Sequence, residues 1–339
     1  MPASRRFGTD CLNVKAEKVR AASAAYECYR RARAEILPMT EDAGVIEAEL
    51  TAPERAVLAD VEELWHADVD ALADLRRYGK AISGVRRSNY KGDRAEQVRV
   101  RLDRDRLKLL ERGDPALWVN EPAVLGGFGL HSGDALFNED TLRFFRVATL
   151  LNDAALLREF RSATRRSLVW DIGGGWGGFA HYLKTLFPDA TYLITAPPTL
   201  LLLSATYLMT LFPDARVRFW NASNPTAFWR ALDKTDFAFA PDTAVQDMRP
   251  GGVSLVIDIG MLERMNAARI NAHVERAFQL DCRYLLSVCS GDGADAVSVV
   301  RAVVDRWYWL HPMASRAYLD RHLLVRNGAF LLGWKRLRA

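Results

Sequence analysis

The sequence predicts an α/β fold in which a mainly parallel sheet, finished by an antiparallel hairpin, follows a helical N-terminal region. Three observations predict it. Residues 168–178, LVWDIGGGWGG, run from an apolar strand directly into five glycines interrupted only by Trp176. Phe179, Leu183, Leu186 and Phe187 follow at helical spacing, so a strand, a glycine loop and a helix succeed one another. The pentapeptide LFPDA occurs at 186–190 and again at 211–215, each time ending a helix at proline before a β-rich run. Two equal helix-to-strand steps are what a parallel sheet needs.

Taken in order, residues 15–36 read as an Ala- and Arg-rich helix, basic and solvated, and 38–53 as a loose acidic connection. Val57, Leu58, Val61, Leu64, Trp65, Val69, Leu72 and Leu75 then mark one strong helical stripe, with Asp60, Glu62, Glu63, Asp70 and Asp74 on its polar side. Residues 86–108 carry nine basic against four acidic side chains, the mark of a solvated face. Val98, Val100 and Leu102 alternate there with Arg99 and Arg101, which suggests a short strand with an arginine face. If that face is functional, an anionic substrate such as a nucleotide sugar or phosphorylated glycan suits it better than duplex DNA.

Residues 120–138 are glycine-rich and contain Glu121, His131 and Asp134, either as a functional segment or as a connection. Asn138 is placed to cap a helix that begins Glu139-Asp140 and buries Leu142, Phe145, Leu150 and Leu151. Strands are expected at 168–171, 191–195, 216–220, 236–240, 254–259 and 283–289. A closing hairpin is expected from 322–326, the turn Asn327-Gly328 and 329–334. The chain thus divides into 1–115 (helical), 116–165 (glycine-rich connection and bridging helix) and 166–339 (sheet domain).

Composition narrows the function. A chain of 339 residues, half of them hydrophobic, can bury a large core. Its formal charge of +4 does not announce a nucleic-acid binder. Cys11, Cys28, Cys282 and Cys289 show neither CxxC spacing nor a histidine cluster, so no metal site or disulfide framework is indicated, and a reducing cytoplasm is the expected compartment. The start, MPASRRFGTD, lacks the apolar core of a signal peptide. The apolar run 195–212 approaches the length of a membrane span, but two prolines and several hydroxyls interrupt it where the second helix of the sheet domain belongs, so no membrane is expected.

The glycine loop has two cofactor readings. Gly173, Gly175 and Gly178 satisfy the dinucleotide spacing GxGxxG, which is weak alone. Asp171, Gly173, Gly175 and Gly177 satisfy DxGxGxG, with an acid closing the strand. That acid favours a cationic ligand over a pyrophosphate, because like charges repel at such range. The second pattern resembles the first motif of class I S-adenosylmethionine-dependent methyltransferases, whose sheet is Rossmann-like and ends in an antiparallel hairpin. Residues 170–211 and 255–266 resemble more closely the bacterial family of sugar O-methyltransferases. GGGWGG, TAPPTL and DIGMLERMN stand here for that family's GGG[FY]GG loop, its strand-end acid with an LPETL run, and its NTxSFQEMN segment. Glu121-Pro122 and the 138–151 helix also suit it. That family has seven core strands, and the eight candidates here leave either 216–220 or 236–240 as an addition.

The resemblance implies S-adenosylmethionine as cofactor, held by Asp171, Gly173, Gly174, Gly175, Trp176 and Gly177, and a sugar or glycosylated small molecule as acceptor. Thr195 stands in place of the family's ribose-binding acid, Arg264 in place of its glutamate and Met261 in place of its serine. Asn221 and Asp242, at the ends of the two third-strand candidates, are the polar residues available for adenine. A sugar hydroxyl needs a base near neutral pH. Asp258 is the first candidate by position, with Glu263 and His131 behind it. The three departures leave a second reading open, a catalytically degenerate relative that serves as a binding or scaffolding partner. His181 is expected to be solvated. The N-terminal helices are expected to cap the crevice or to form a homodimer surface.

Overall fold

The structure is a computed structural model that describes residues 6–43, 49–162, 166–249, 252–289, 294–310 and 329–336. Two short strands, β1 (Leu130–Ser132) and β2 (Ala135–Phe137), make a separate antiparallel hairpin within the glycine-rich segment. The main sheet contains β3 (Leu168–Ile172), β4 (Thr191–Thr195), β5 (Val217–Phe219), β6 (Phe237–Ala240), β7 (Val253–Ile259), β8 (Tyr284–Cys289), β9 (Tyr308–Leu310) and β10 (Ala329–Lys335). They lie side by side in the order β5-β6-β4-β3-β7-β8-β10-β9. From β5 to β8 all neighbours are parallel, and β10 runs antiparallel to both β8 and β9. This is the Rossmann-like architecture the sequence predicts. The order also resolves the surplus strand: β6 pairs with β4 and takes the third core position, whereas the three-residue, half-exposed β5 is added outside it.

The two LFPDA copies leave their helices by the same turn. Phe187 and Phe212 end the helices Gly178–Leu186 and Pro198–Leu211 with φ/ψ of −131/75° and −126/71°. Ala190 and Ala215 then donate back to the carbonyls of Phe187 and Phe212 at 3.1 and 3.0 Å. Below the first turn Lys184 is buried and donates to Pro188 O, Ala190 O and Asp236 Oδ1, at 2.6, 2.8 and 2.8 Å. The helix Pro198–Leu211 is buried almost all round, which accounts for its membrane-like composition. Among the described residues no helix is long and apolar enough to cross a membrane.

Three expectations need correction. The first helix spans Arg6–Ile36, but it is not simply solvated: Ala22, Ala25, Tyr29, Ala32 and Ile36 form a buried stripe against Pro198–Leu211. The stripe from Val57 to Leu75 is not one helix. It breaks into Ala52–Val61, a 3-10 turn Glu62–His66, Val69–Ala73 and a 3-10 turn Leu75–Tyr78. Asp68 causes one break by accepting from the Ala71 amide and starting a new helix. The alternation around Val98 does not mark a strand, because Ala95–Arg112 is a helix that buries Leu102 and Leu109 one helical face apart and leaves Val100 exposed. The antiparallel end of the sheet is present: β10 is the expected second arm of the closing hairpin and also pairs with an additional strand, β9, while the expected first arm and turn, 322–328, lie outside the described residues.

The N-terminal helices are fastened to the sheet domain by buried polar contacts. Arg269 lies between two carboxylates, Glu54 from the N-terminal region and Asp242 after β6, with 3.1 Å from its Nη2 to Asp242 Oδ2. The Trp65 indole N–H donates to Thr199 Oγ1 at 3.0 Å, and the Thr51 hydroxyl donates to the Arg264 carbonyl. Replacing Arg269 by Leu strands two buried carboxylates, so urea unfolding is expected to show a loss of about 3–5 kcal/mol. A loss below about 1 kcal/mol would mean that Glu54 and Asp242 do not depend on it.

Candidate functional site

Chain order reverses at β3, which has β4 on one side and β7 on the other. In open α/β sheets the crevice at such a point, beyond the carboxyl ends of the strands, is where ligands bind. The glycine loop leaves β3 there. Gly173 and Gly174 have φ of +81° and +55°, and a Cβ on them would lie 2.4 Å from Met261 and 2.2 Å from Ile194. Both conformation and space therefore demand glycine. The loop is tied to the next strand by the Gly173 amide, which donates to Thr195 O at 2.6 Å.

Asp171 lies at the base of this loop. It is buried, makes no ion pair among the described residues, and accepts a hydrogen bond from the Gly174 amide. Burial and the neighbouring Asp258 carboxyl push its carboxyl up to about 8, against the pull of that amide. Asp171 faces a cavity with about 390 Å³ of empty space, bounded also by Ile82, Asp140, Phe144, Trp176 and Met261. That space includes open solvent, and only about 30 Å³ of it admits a water-sized sphere, so the cavity is a narrow recess rather than a full-sized ligand pocket.

Asp140 was not foreseen as part of the site, and both it and the foreseen Trp176 depend on Arg76. Its guanidinium is fully buried and donates to Glu121 Oε1 at 2.8 Å and to Asp140 Oδ2 at 2.5 Å. It also stacks on the Trp176 indole, 3.7 Å from the ring centroid. Ser83 donates to the same Asp140 oxygen at 2.9 Å, while Asp140 Oδ1 accepts no hydrogen bond. Arg143 comes within 3.5 Å of that second oxygen. The sequence did hold a signal: Arg76 stands four residues after Leu72, where the apolar stripe would place a buried side chain. A larger cavity of about 670 Å³ adjoins the first and shares Ile82, Ser83, Arg143 and Ile259 with it. Glu263 and Arg264 line its far side, and the Arg264 guanidinium donates to the carbonyls of Ala81 and Ile82 at 3.2 and 2.7 Å.

Of the residues singled out from sequence, Asp171, Gly174, Gly175 and Trp176 line the smaller cavity, and Gly173 and Gly177 shape its loop. Glu263 lines the larger one. The others are placed elsewhere. Thr195 is fully buried and accepts from the Trp170 indole at 2.8 Å, so its hydroxyl serves the sheet interior. Asn221 is exposed beyond the edge strand β5, where its side chain accepts from the Ser223 amide. Asp242 is taken up by Arg269. Asp258 is buried and saturated: Oδ1 accepts from the amides of Met261 and Leu262 at 2.7 and 2.9 Å, and Oδ2 from Ser287 Oγ at 2.7 Å. It caps the turn after β7 and lines neither cavity. Burial raises its carboxyl to about 6 against those three hydrogen bonds. His131 is exposed on the β1–β2 hairpin and borders neither cavity. His181 is not solvated; it packs on Tyr207 and Phe212, and burial lowers its imidazole to about 4.

No family model matches the chain, and no curated sequence matches it. Among solved structures it is similar to a Haemonchus contortus phosphoethanolamine N-methyltransferase 2 with S-adenosylhomocysteine, at 13% identity over 55% of this chain and 52% of that one, TM-score 0.34. It is similar to the bifunctional kinase-methyltransferase WbdD, at 14% identity over 60% of this chain and 41% of that one, TM-score 0.39. A third is the Synechocystis magnesium protoporphyrin IX methyltransferase with bound S-adenosylhomocysteine, at 12% identity over 60% and 90%, TM-score 0.36. The match spans about half the length of the first of these or less of the second. At that level of likeness the reading of the site rests on its own geometry.

An acid whose folded pKa is raised keeps a proton that the unfolded chain has lost, so stability falls as pH rises from about 4 to about 8. Asp258, at about 6, and the unfolded-state ionisation of His181 also contribute in the lower part of this range, but they do so in wild type and variant alike, so the difference between the two proteins reports Asp171. Asp171→Asn keeps the acceptor for Gly174 and is expected to flatten the decline of melting temperature between pH 6.5 and 8. Parallel curves for variant and wild type would show that Asp171 is ionised throughout.

Proposed function

We propose that this crevice binds S-adenosylmethionine and delivers its methyl group to a hydroxyl of a sugar or glycosylated small molecule. The observation that carries the proposal is Asp171: a buried carboxyl with no cation beside it, opening onto a cavity at a glycine loop. A cationic ligand supplies the missing charge and removes the cost of ionising it. Asp140 adds a second carboxylate to the same cavity, with one oxygen held by Arg76 and Ser83.

The methionine end of the cofactor fits these groups, with Asp171, Asp140 and the main chain at Gly174 and Gly175 to hold it. The cofactor contributes a methyl group on a positively charged sulfur. The nucleoside end lacks the partners expected from sequence, since Thr195, Asn221 and Asp242 are all engaged elsewhere. On the acceptor side Glu263 is the carboxylate that lines the adjoining cavity, placed to take the proton of a hydroxyl bound there. Arg264 holds the wall between the cavities through the Ala81 and Ile82 carbonyls.

A second reading is favoured by one observation. Trp65 covers Thr199, at the start of the helix that follows β4, where a nucleoside would approach. A chain closed there would be a non-catalytic relative. Calorimetry with S-adenosylhomocysteine, beside native mass spectrometry of the purified protein, separates the two. The first reading expects micromolar binding, weakened about tenfold or more by Asp171→Asn and by Gly175→Val. Glu263→Gln is expected to keep that affinity and to lower methyl transfer to sugar acceptors by about 100-fold or more. No heat with S-adenosylhomocysteine and no co-purified adenosyl compound would leave the second reading standing.

A further inference from the structure

A groove of about 1,060 Å³ lies outside the two cavities, bordered by Arg77, Lys80, Arg86 and Arg87 and by two carboxylates, Asp60 and Asp74. The four cations do not have equal freedom. Arg87 is committed to Asp74, with a second contact at 3.1 Å, and to the Gly126 carbonyl. Arg77 donates to Glu63 and to the Tyr78 hydroxyl at 2.9 and 2.8 Å. Lys80 and Arg86 are exposed, and among the described residues their side chains make no hydrogen bond or ion pair. Two unpaired cations therefore face a concave surface whose other two arginines are already held in place.

The groove adjoins the acceptor side of the site. Gly84 borders both the groove and the Glu263 cavity. It is exposed, its φ is +75°, and a Cβ there would meet nothing within 4 Å, so no neighbouring atom stands against its free face. Lys80 and Arg86 flank it in sequence, four residues before and two after.

We infer that the groove is an anion subsite, and that it holds a phosphate or diphosphate carried by the acceptor while the reacting hydroxyl lies beyond Gly84 beside Glu263. This rests on the reading of the crevice as a methyl-transfer site and specifies its substrate class: a phosphorylated sugar rather than a neutral one. A guanidinium and an ammonium on one rim suit a compact multivalent anion, for which charge-assisted hydrogen bonds are the strong ones. The two carboxylates in the same groove disfavour a long polyanion that would run along the whole of it.

The test is calorimetric titration of the full chain with inorganic pyrophosphate and, separately, with S-adenosylhomocysteine. The protein is expected to bind pyrophosphate, and the double variant Lys80→Ala/Arg86→Ala to bind it at least about tenfold more weakly with an unchanged melting temperature and unchanged S-adenosylhomocysteine affinity. Pyrophosphate binding that is absent, or equal in the two proteins, overturns the subsite. If pyrophosphate binding is lost in the variant but S-adenosylhomocysteine binds neither protein, the subsite stands and the methyl-transfer reading falls. A short single-stranded RNA that binds more tightly than pyrophosphate, with a steep dependence on salt, overturns the small-anion assignment in favour of nucleic acid.

Discussion

The architecture around the crevice depends on neutralising one buried charge. The Arg76 guanidinium is buried, which works against its charge; Glu121 and Asp140 offset that cost and hold the positive charge in place. Those two acids come from different parts of the chain. Glu121 precedes the β1–β2 hairpin, and Asp140 lies in the first turn of the helix Glu139–Asp153, which Asn138 caps by accepting from the Thr141 amide at 3.1 Å. Trp176, on the flat face of the same guanidinium, is the fourth member. A single ion cluster thus joins the N-terminal helices, the glycine-rich segment and the loop after β3. Removing Arg76 would leave two buried carboxyls without their counter-charge in a low-dielectric interior, where such charges are costly.

The acids near the sheet tips divide by their surroundings. Asp258 has three donors within hydrogen-bond range, so its capacity is spent on the turn that carries Met261 and Leu262. Asp171, one strand away, has a single backbone donor and a cavity in front of it. Two carboxyls at adjacent strand ends therefore have opposite duties: one shapes the backbone, and the other awaits a counter-charge. Met261 itself closes over Gly173, so the turn that Asp258 shapes sets the depth of the cavity on that side.

Much of this fold was legible because local chemistry and global topology agree. The strand, the glycine loop, the repeated helix exits and the cap at Asn138 each follow from a few adjacent residues. What was not legible depends on partners distant in sequence. The long first helix reads as solvated because its buried stripe is mostly alanine, which carries little hydrophobic signal until a neighbouring helix is known. Residues 57–75 keep an unbroken apolar period although Asp68 restarts the helix in mid-course. Within the site, position at a strand end suggested Asp258, Asp242 and Thr195, yet position says nothing about whether a side chain's hydrogen-bonding capacity is already taken. Arg76 was hidden for the converse reason: an arginine on an apolar face reads as surface unless its two acids, Glu121 and Asp140, are known to meet it.

The alanine stripe of Arg6–Ile36 lies on a helix that belongs to the other half of the chain. Ala22, Ala25 and Ala32 let the two backbones approach closely, and Pro198–Leu211 has no other way to shed water from that side. During synthesis the first helix therefore emerges from the ribosome long before its mate exists, and the mate emerges as a bare run of leucines. Native-like burial of either must await a contact of very high sequence separation, the slowest kind to form. Until then the nascent chain leaves that run of leucines exposed, and transiently exposed apolar surface of this kind is what makes partly folded chains prone to aggregate.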